Sequence, residues 1–173
     1  SIAATSPDGI TWTQRTLPTS ANWYSVTYGN GVFVAVANGG TVAATSPDGI
    51  TWTQRTLPAS ASWYSVTYGN GLFVAVAYGS NIAATSPDGI TWTQRTLPAS
   101  ASWLSVTYGN GVFVAVAYSS SIAATSPDGI TWTQRTLPTS TGWDSVTYAN
   151  GPFVGVANGS TSAATRPDGI TCT

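Results

Sequence analysis

The sequence has 173 residues, of which only eleven are formally charged: five arginines and six aspartates. With no lysine, glutamate or histidine and one cysteine, the usual zinc sites, the Ser-His and Cys-His nucleophile pairs and lysine-containing phosphate loops are excluded. Five scattered arginines do not form the basic surface that nucleic acids require, and no apolar run reaches the ~20 residues of a membrane span, so we expect no cofactor, metal, nucleic acid or membrane insertion.

One pattern of 40 residues repeats along the chain, so that repeats dominate the interpretation. The second and third copies differ at only five of their 40 positions. We expect a single repeat domain over residues 1–173, whose units are 1–40, 41–80, 81–120, 121–160 and a partial 161–173. Helical repeats of similar length are excluded because the unit is rich in Val, Thr, Trp, Tyr and Phe, which favour strands.

Each unit contains a β-hairpin with an Asn-Gly turn. In the first unit we predict a strand over 23–28 and a second strand over 32–37. Asn30 and Gly31 between them suit a type I′ turn, which needs a positive φ angle at both positions. The second strand, Val-Phe-Val-Ala-Val-Ala, is apolar on both faces, as expected for a strand buried on both sides.

Two further strands follow the hairpin. We predict a connection over 38–41 and a third strand over 42–46. Ser-Pro-Asp-Gly at 46–49 is typical of a type I turn, with Pro at its second position and Gly at its fourth. A fourth strand is predicted over 51–56, and residues 57–62 link it to the next unit.

Four antiparallel strands in 40 residues are typical of one blade of a β-propeller. We therefore predict an all-β protein with four to five blades per chain, in which stacked blades bury the faces that a single sheet leaves exposed. Tryptophans recur near the start of the first strand and near the start of the fourth, and we interpret them as packing between blades. Those of the first strand are Trp23, Trp63, Trp103 and Trp143.

The segment Ser-Pro-Asp-Gly-Ile-Thr-Trp at 6–12, 46–52, 86–92 and 126–132 resembles the Asp-box (BNR) motif, although it is one residue shorter between Asp and Gly. That motif marks β-propellers such as sialidases and several lectins, where it forms the turn between the third and fourth strands. The resemblance implies a structural role, in which the Asp accepts backbone N–H bonds and the Trp packs into the blade. The residues with this implied role are Asp8, Asp48, Asp88, Asp128, Asp168, Trp12, Trp52, Trp92 and Trp132.

The resemblance to sialidases does not extend to catalytic residues. Such enzymes use three arginines with Tyr, Glu and Asp, whereas this chain has no Glu and places four arginines at one position of the fourth, outermost strand. The aspartates occupy the same position in each blade, so the distance between them exceeds the roughly 5–10 Å that separates the two carboxylates of a glycosidase. Only Asp144 and Arg166 lie outside these positions. We expect the chain to have no enzymatic activity and no catalytic residues.

Differences between units indicate where a ligand could bind. Antiparallel order places the Asn-Gly and Ser-Pro-Asp-Gly turns at one end of the propeller, and the 38–41 connection and the linkers at the other. The differences cluster at this second end and supply aromatic and amide side chains, which suit sugars, although loops also simply tolerate change. The candidate ligand-binding residues are Tyr24, Tyr64, Asn38, Tyr78, Tyr118 and Asn158.

The chain begins with the third strand of a unit and contains four first-and-second strand pairs but five third strands. Residues 11–17 could close a four-blade ring by completing the last blade, or the hairpin 1–17 could complete a blade of another chain and give a ring or filament. Two hypotheses stay open: a binding module for multivalent, lectin-like recognition of carbohydrate or another surface ligand, and a self-assembling structural subunit joined through incomplete terminal blades. We expect an extracellular or cell-surface location.

Overall fold

A computed structural model describes residues 1–166 of the chain, and they fold into an all-β propeller of thirteen strands. The strands are β1 (Ile2–Thr5), β2 (Thr13–Thr16), β3 (Asn22–Gly29), β4 (Val32–Ser46), β5 (Thr53–Gly69), β6 (Leu72–Tyr78), β7 (Ser80–Ser86), β8 (Thr93–Gly109), β9 (Val112–Tyr118), β10 (Ser120–Ser126), β11 (Thr133–Tyr148), β12 (Phe153–Asn158) and β13 (Ala163–Arg166). No helix of the described residues is long and apolar enough to cross a bilayer.

Each blade is a four-stranded antiparallel meander. In the second blade the strands are the end of β5, then β6, β7 and the start of β8. The first and third blades repeat this order, and the described part of the fourth contains the end of β11 with β12 and β13. The first two strands, β1 and β2, form a separate two-stranded sheet, and they correspond to the third and fourth strands of a blade.

The first strands of neighbouring blades lie against each other and surround the propeller axis. The Val66 N–H donates to Ser25 Oγ of the preceding blade over 3.2 Å, and the Val106 N–H donates to Ser65 Oγ over 3.1 Å. The ring of Tyr68 covers Gly29 so closely that a Cβ there would lie 2.0 Å from Tyr68 Cγ. Glycine is therefore required where the next blade packs.

The core lies between the blades, as predicted for the tryptophans of the first strand. Trp63 is completely buried with Val34 and Val36 of the preceding blade and Phe73 of its own blade. Its indole N–H donates to the carbonyl oxygen of Ala59 over 3.2 Å. The same packing recurs around Trp103 and Trp143 in the next two blades, so each interface repeats one set of contacts.

The hairpin prediction is confirmed, because Asn30 and Gly31 both have positive φ angles, 48° and 76°. The strand limits at 38–41 and 57–62 were wrong. Asn38 pairs with Ser62, so β4 runs without a break through the predicted connection and β5 runs through the predicted linker. The backbones of these two segments pair with each other in an irregular register. Strand propensity alone does not predict such pairing.

The fourth strand begins at Thr53 rather than at residue 51, since Thr51 and Trp52 belong to the preceding turn. Its arginines do not converge. Arg55 Nε donates to Thr45 Oγ1 of the third strand over 2.9 Å, and Arg15 makes the same bond to Thr5 in the N-terminal hairpin. The closed four-blade ring is also not formed by the described residues, because β2 pairs with β1 and not with β13.

Candidate functional site

The two ends of the propeller carry different structures, as the strand order predicts. At one end, Asn30 Nδ2 of the first hairpin donates to the carbonyl oxygen of Pro87, in the Ser-Pro-Asp-Gly turn of the second blade, over 3.2 Å. We call this the turn end. At the other end, Asn38 lies beside Ser62, the last residue of the linker. We call this the linker end.

Three of the predicted ligand-binding tyrosines meet at the linker end. The ring centroids of Tyr24 and Tyr64 are 4.3 Å apart, and those of Tyr64 and Tyr78 are 5.1 Å apart. Tyr24 and Tyr64 occupy the same position of two adjacent inner strands, and Tyr78 pairs with Ser62 on the neighbouring strand. We call these three residues the tyrosine cluster.

The tyrosine cluster is open to solvent and internally hydrogen-bonded. Tyr24 is 51% exposed and Tyr78 is 37% exposed, so both rings present surface to a ligand. The hydrogen bond with Tyr24 raises the pKa of the Tyr64 hydroxyl, and partial burial raises that pKa further. The Tyr64 hydroxyl therefore stays protonated at neutral pH and is available for hydrogen bonding.

The remaining predicted ligand residues are distributed over the other blades. Tyr118 lies between the third and fourth blades, where its ring occupies the space of a side chain at Gly142: a Cβ there would be 2.8 Å from Tyr118 Cε2. Asn38 is half-buried and Asn158 is exposed at the end of β12. Thus the cluster spans two blades rather than repeating an aromatic site in each.

The Ser-Pro-Asp-Gly turn is a compact network of side-chain to backbone bonds. Asp48 Oδ1 accepts the N–H groups of Ile50 and Thr51 at 2.8 and 2.9 Å, and the hydroxyl of Ser46 at 2.9 Å. The bond from the Thr51 N–H is the largest cause of the lowered pKa of Asp48. These bonds favour the charged carboxylate. The same network surrounds Asp8, Asp88 and Asp128, whereas Asp168 lies outside the described residues.

The tryptophan of this turn is held by the turn itself. Trp52 Nε1 donates to the carbonyl oxygen of Gly49 over 3.0 Å, and the other copies make the same bond. The burial of the indole ring varies along the chain: Trp132 is 9% exposed, whereas Trp12 in the N-terminal hairpin is 62% exposed. The turn geometry is therefore local, and the burial of its tryptophan depends on the neighbouring blades.

A cavity of about 560 Å³ lies between the N-terminal hairpin and the first blade. Its walls are mainly apolar and include Trp12, Trp23, Phe33 and Trp52. Of the predicted ligand residues only Tyr24 reaches it. This cavity was not predicted from the sequence.

The described residues contain no group of three side chains suited to metal binding. No family model matches the sequence, and no curated protein is significantly similar to it. Membership of the Asp-box family is therefore not confirmed, whereas the β-propeller fold is supported by similar solved structures.

Solved structures similar to this chain are β-propeller proteins. Virginiamycin B lyase from Staphylococcus aureus matches with a TM-score of 0.88 at 15% identity, over 99% of this chain and 61% of the lyase chain. A catalytically inactive His-to-Ala variant of that lyase with quinupristin matches with a TM-score of 0.84 at 16% identity, over 96% and 59% of the two chains. YCF48 bound to D1 peptide matches with a TM-score of 0.69 at 20% identity, over 95% and 56%.

These matches correct the expectation that the chain is not an enzyme. Two of the three structures are those of a lyase, so this arrangement of blades carries catalysis in a similar protein. The absence of the sialidase catalytic residues excludes only sialidase chemistry. The broader expectation that the chain has no enzymatic activity was wrong. The inactive lyase variant has lost a histidine, a residue type that the 173 residues of this chain do not contain.

The chain spans about three fifths of the length of these matched structures. The identities of 15 to 20% carry the fold and not the activities or ligands of the matched proteins. What the comparisons and the strand order together establish is that this chain forms consecutive blades of a β-propeller.

Proposed function

We propose that the chain is a ligand-binding β-propeller whose tyrosine cluster recognises carbohydrate. The observation that carries the proposal is the contact of Tyr24, Tyr64 and Tyr78 at one exposed end of the propeller. An aromatic face stacks on the C–H face of a sugar ring, and phenolic hydroxyls both donate to and accept from sugar hydroxyls. The asparagine side chains at the same end add amide donors and acceptors.

A glycan array tests this proposal with a matched pair of variants. We expect sugar-dependent binding by the wild-type chain and a loss of about fivefold in affinity for Tyr78→Ala, since one stacked ring supplies about 1 kcal/mol. Tyr28→Ala is the control, because Tyr28 is an exposed tyrosine outside the cluster. A blank array, or equal losses in both variants, would contradict carbohydrate recognition by the cluster.

Multivalent binding, the finer form of this proposal, requires a second site. Tyr118 is the candidate, because it stands at the linker end between the third and fourth blades. On a dense glycan surface the second site raises apparent affinity without any new contact at the first. Tyr118→Ala should then weaken binding to dense glycans more than to a soluble monosaccharide, and equal effects would show that binding is monovalent.

Self-association is a second candidate, favoured by the exposure of the two end blades. Val26 of the first blade is 60% exposed, whereas its counterpart Val66 is 5% exposed. At the other end Val156 is 49% exposed, whereas Val36, at the same position of the first blade, is completely buried. The particle mass measured by light scattering, before and after removal of residues 1–17, tests this candidate. An extracellular or cell-surface location remains a prediction.

A further inference from the structure

Asp144 occupies the position in the fourth blade that two residues of the tyrosine cluster occupy in the first and second. The first strand of each of the four blades has a β-bulge, because its pairing skips one residue: Tyr24, Tyr64, Leu104 or Asp144. A bulge leaves its extra residue outside the ladder and redirects the side chain, and bulges are common beside active sites. The blades thus keep one backbone and vary the side chain that it presents at the linker end.

The surroundings of Asp144 follow from those of Tyr64, its counterpart in the second blade. The ring of Tyr64 contacts Tyr24 of the preceding blade and Tyr78 at the end of its own second strand. The residues at these two positions around Asp144 are Leu104 and Asn158. Where the second blade has two aromatic neighbours, the fourth blade therefore has an apolar side chain and an amide beside a carboxylate.

Tyr118 joins this group from the third blade. A Cβ on Gly142 would lie 2.8 Å from Tyr118 Cε2 and 3.0 Å from the carbonyl oxygen of Asn158. The ring of Tyr118 and the backbone of Asn158 therefore both lie against Gly142, two residues before Asp144. The other blades have Asn or Ser at the position of Gly142, whose side chains would occupy this space. We call Tyr118, Asp144 and Asn158 the acidic site.

The charge of Asp144 is not compensated within the described part of the chain. Its side chain forms no ion pair or hydrogen bond with another described residue. The arginines whose side chains are described are held on the outer strands, where each donates to a threonine, as Arg135 Nε does to Thr125 Oγ1 over 2.9 Å. The linker end is open even where a blade has neighbours on both sides, since Tyr78 of the second blade is 37% exposed.

We propose that the acidic site binds the protonated amine of an amino sugar, an inference that rests on the proposed recognition of carbohydrate. An ammonium group donates up to three hydrogen bonds, and the carboxylate of Asp144 and the side-chain carbonyl of Asn158 are acceptors. The π face of Tyr118 attracts the same positive charge. Asp144 repels the carboxylate of a sugar acid. The uncharged tyrosine cluster thus recognises sugar rings in general, and the acidic site selects those that carry an amine.

Two trisaccharides that differ only at nitrogen test this proposal. One is a trimer of glucosamine, and the other is the same trimer with every nitrogen acetylated, which removes the positive charge and keeps the rings and hydroxyl groups. Calorimetric titration of the full chain at low salt should show about fivefold to tenfold tighter binding of the free-amine trimer, as expected for one exposed ion pair and one cation–π contact. Added salt should reduce this preference.

Matched variants locate the preference for the amine. Asp144→Asn keeps the size of the side chain and removes its charge, so the two trimers should then bind with equal affinity. Tyr78→Ala, in the tyrosine cluster, should weaken both trimers by the same factor and leave the preference unchanged. A preference that persists in Asp144→Asn overturns the proposal, because the amine is then recognised elsewhere.

The remaining outcomes separate this inference from the proposed function. Equal binding of both trimers by the wild-type chain overturns the acidic site and leaves carbohydrate recognition intact. If neither trimer binds, the inference is overturned whatever the glycan array shows. A lysine peptide, acetyl-Gly-Lys-Gly-amide, that binds more tightly than the amine trimer and loses its affinity in Asp144→Asn also overturns it, because the amine then belongs to a polypeptide.

Discussion

Replacing Gly69 by Ala tests how the blades are held together. The inner strands leave no space at this position, since a Cβ on Gly69 would lie 2.0 Å from Cγ, 2.4 Å from Cδ1 and 2.5 Å from Cβ of Tyr108. The last of these atoms is fixed to the backbone of the next blade, so the ring cannot turn away to make room. The second and third blades must therefore move apart.

The expected cost follows from overpacking a tight interface, which typically destabilises a protein by about 1–3 kcal/mol. For a chain of this size that corresponds to a fall in Tm of about 2–12 °C. Thermal unfolding followed by tryptophan fluorescence measures it, because Trp103 is completely buried at the same interface.

The control is the same substitution in the last blade. A Cβ on Gly155 would meet Trp143 at an ordinary contact distance of 3.6 Å, and the first three blades have Ala at this position. Gly155→Ala should be neutral or should stabilise the chain by about 0.5–1 kcal/mol. If Gly69→Ala unfolds at the wild-type temperature, the inner strands are not packed as described.

Two further predictions concern a serine between two blades and the aspartate of a Ser-Pro-Asp-Gly turn. Ser65→Ala leaves the buried Val106 N–H without its acceptor and should cost about 1–3 kcal/mol in urea unfolding, whereas Ser145→Ala, at the exposed position in the last blade, should cost almost nothing. Backbone N–H donors lower the pKa of Asp88 below 3.8, so its contribution to stability is present above pH 3.8 and is lost as pH falls through the lowered pKa. Asp88→Asn should therefore flatten the acid loss of stability, and a pH profile identical to that of the wild-type chain would refute this assignment.

The fold was predictable from the sequence because each unit carries strong local signals. Asn30-Gly31 specifies a two-residue hairpin, and the run at 32–37 specifies a buried strand. The strand limits were not predictable at 38–41 and 57–62. There Asn38 pairs with Ser62 and Gly40 with Ala61, more than 20 residues apart in the sequence. Local strand propensity does not predict pairing between such distant segments.

The candidate site was predictable in part. Comparison of the units identified Tyr24, Tyr64 and Tyr78, which the structure brings together at the linker end. The cavity beside the N-terminal hairpin was missed because Val26 and Val66 occupy identical sequence surroundings and differ only in what covers them. Exposure that results from the position of a blade in the array is a property of the assembly and leaves no mark in the repeat itself.

The tyrosine packed over a glycine at each interface has a consequence for folding. Because the interfaces are nearly identical, the next blade of a neighbouring chain satisfies the same contacts as the chain's own, so refolding yield should fall as protein concentration rises. The fourth blade differs, since Ala149 occupies the place of that glycine. One methyl group thus distinguishes the fourth blade from the three blades whose glycine is covered by a tyrosine.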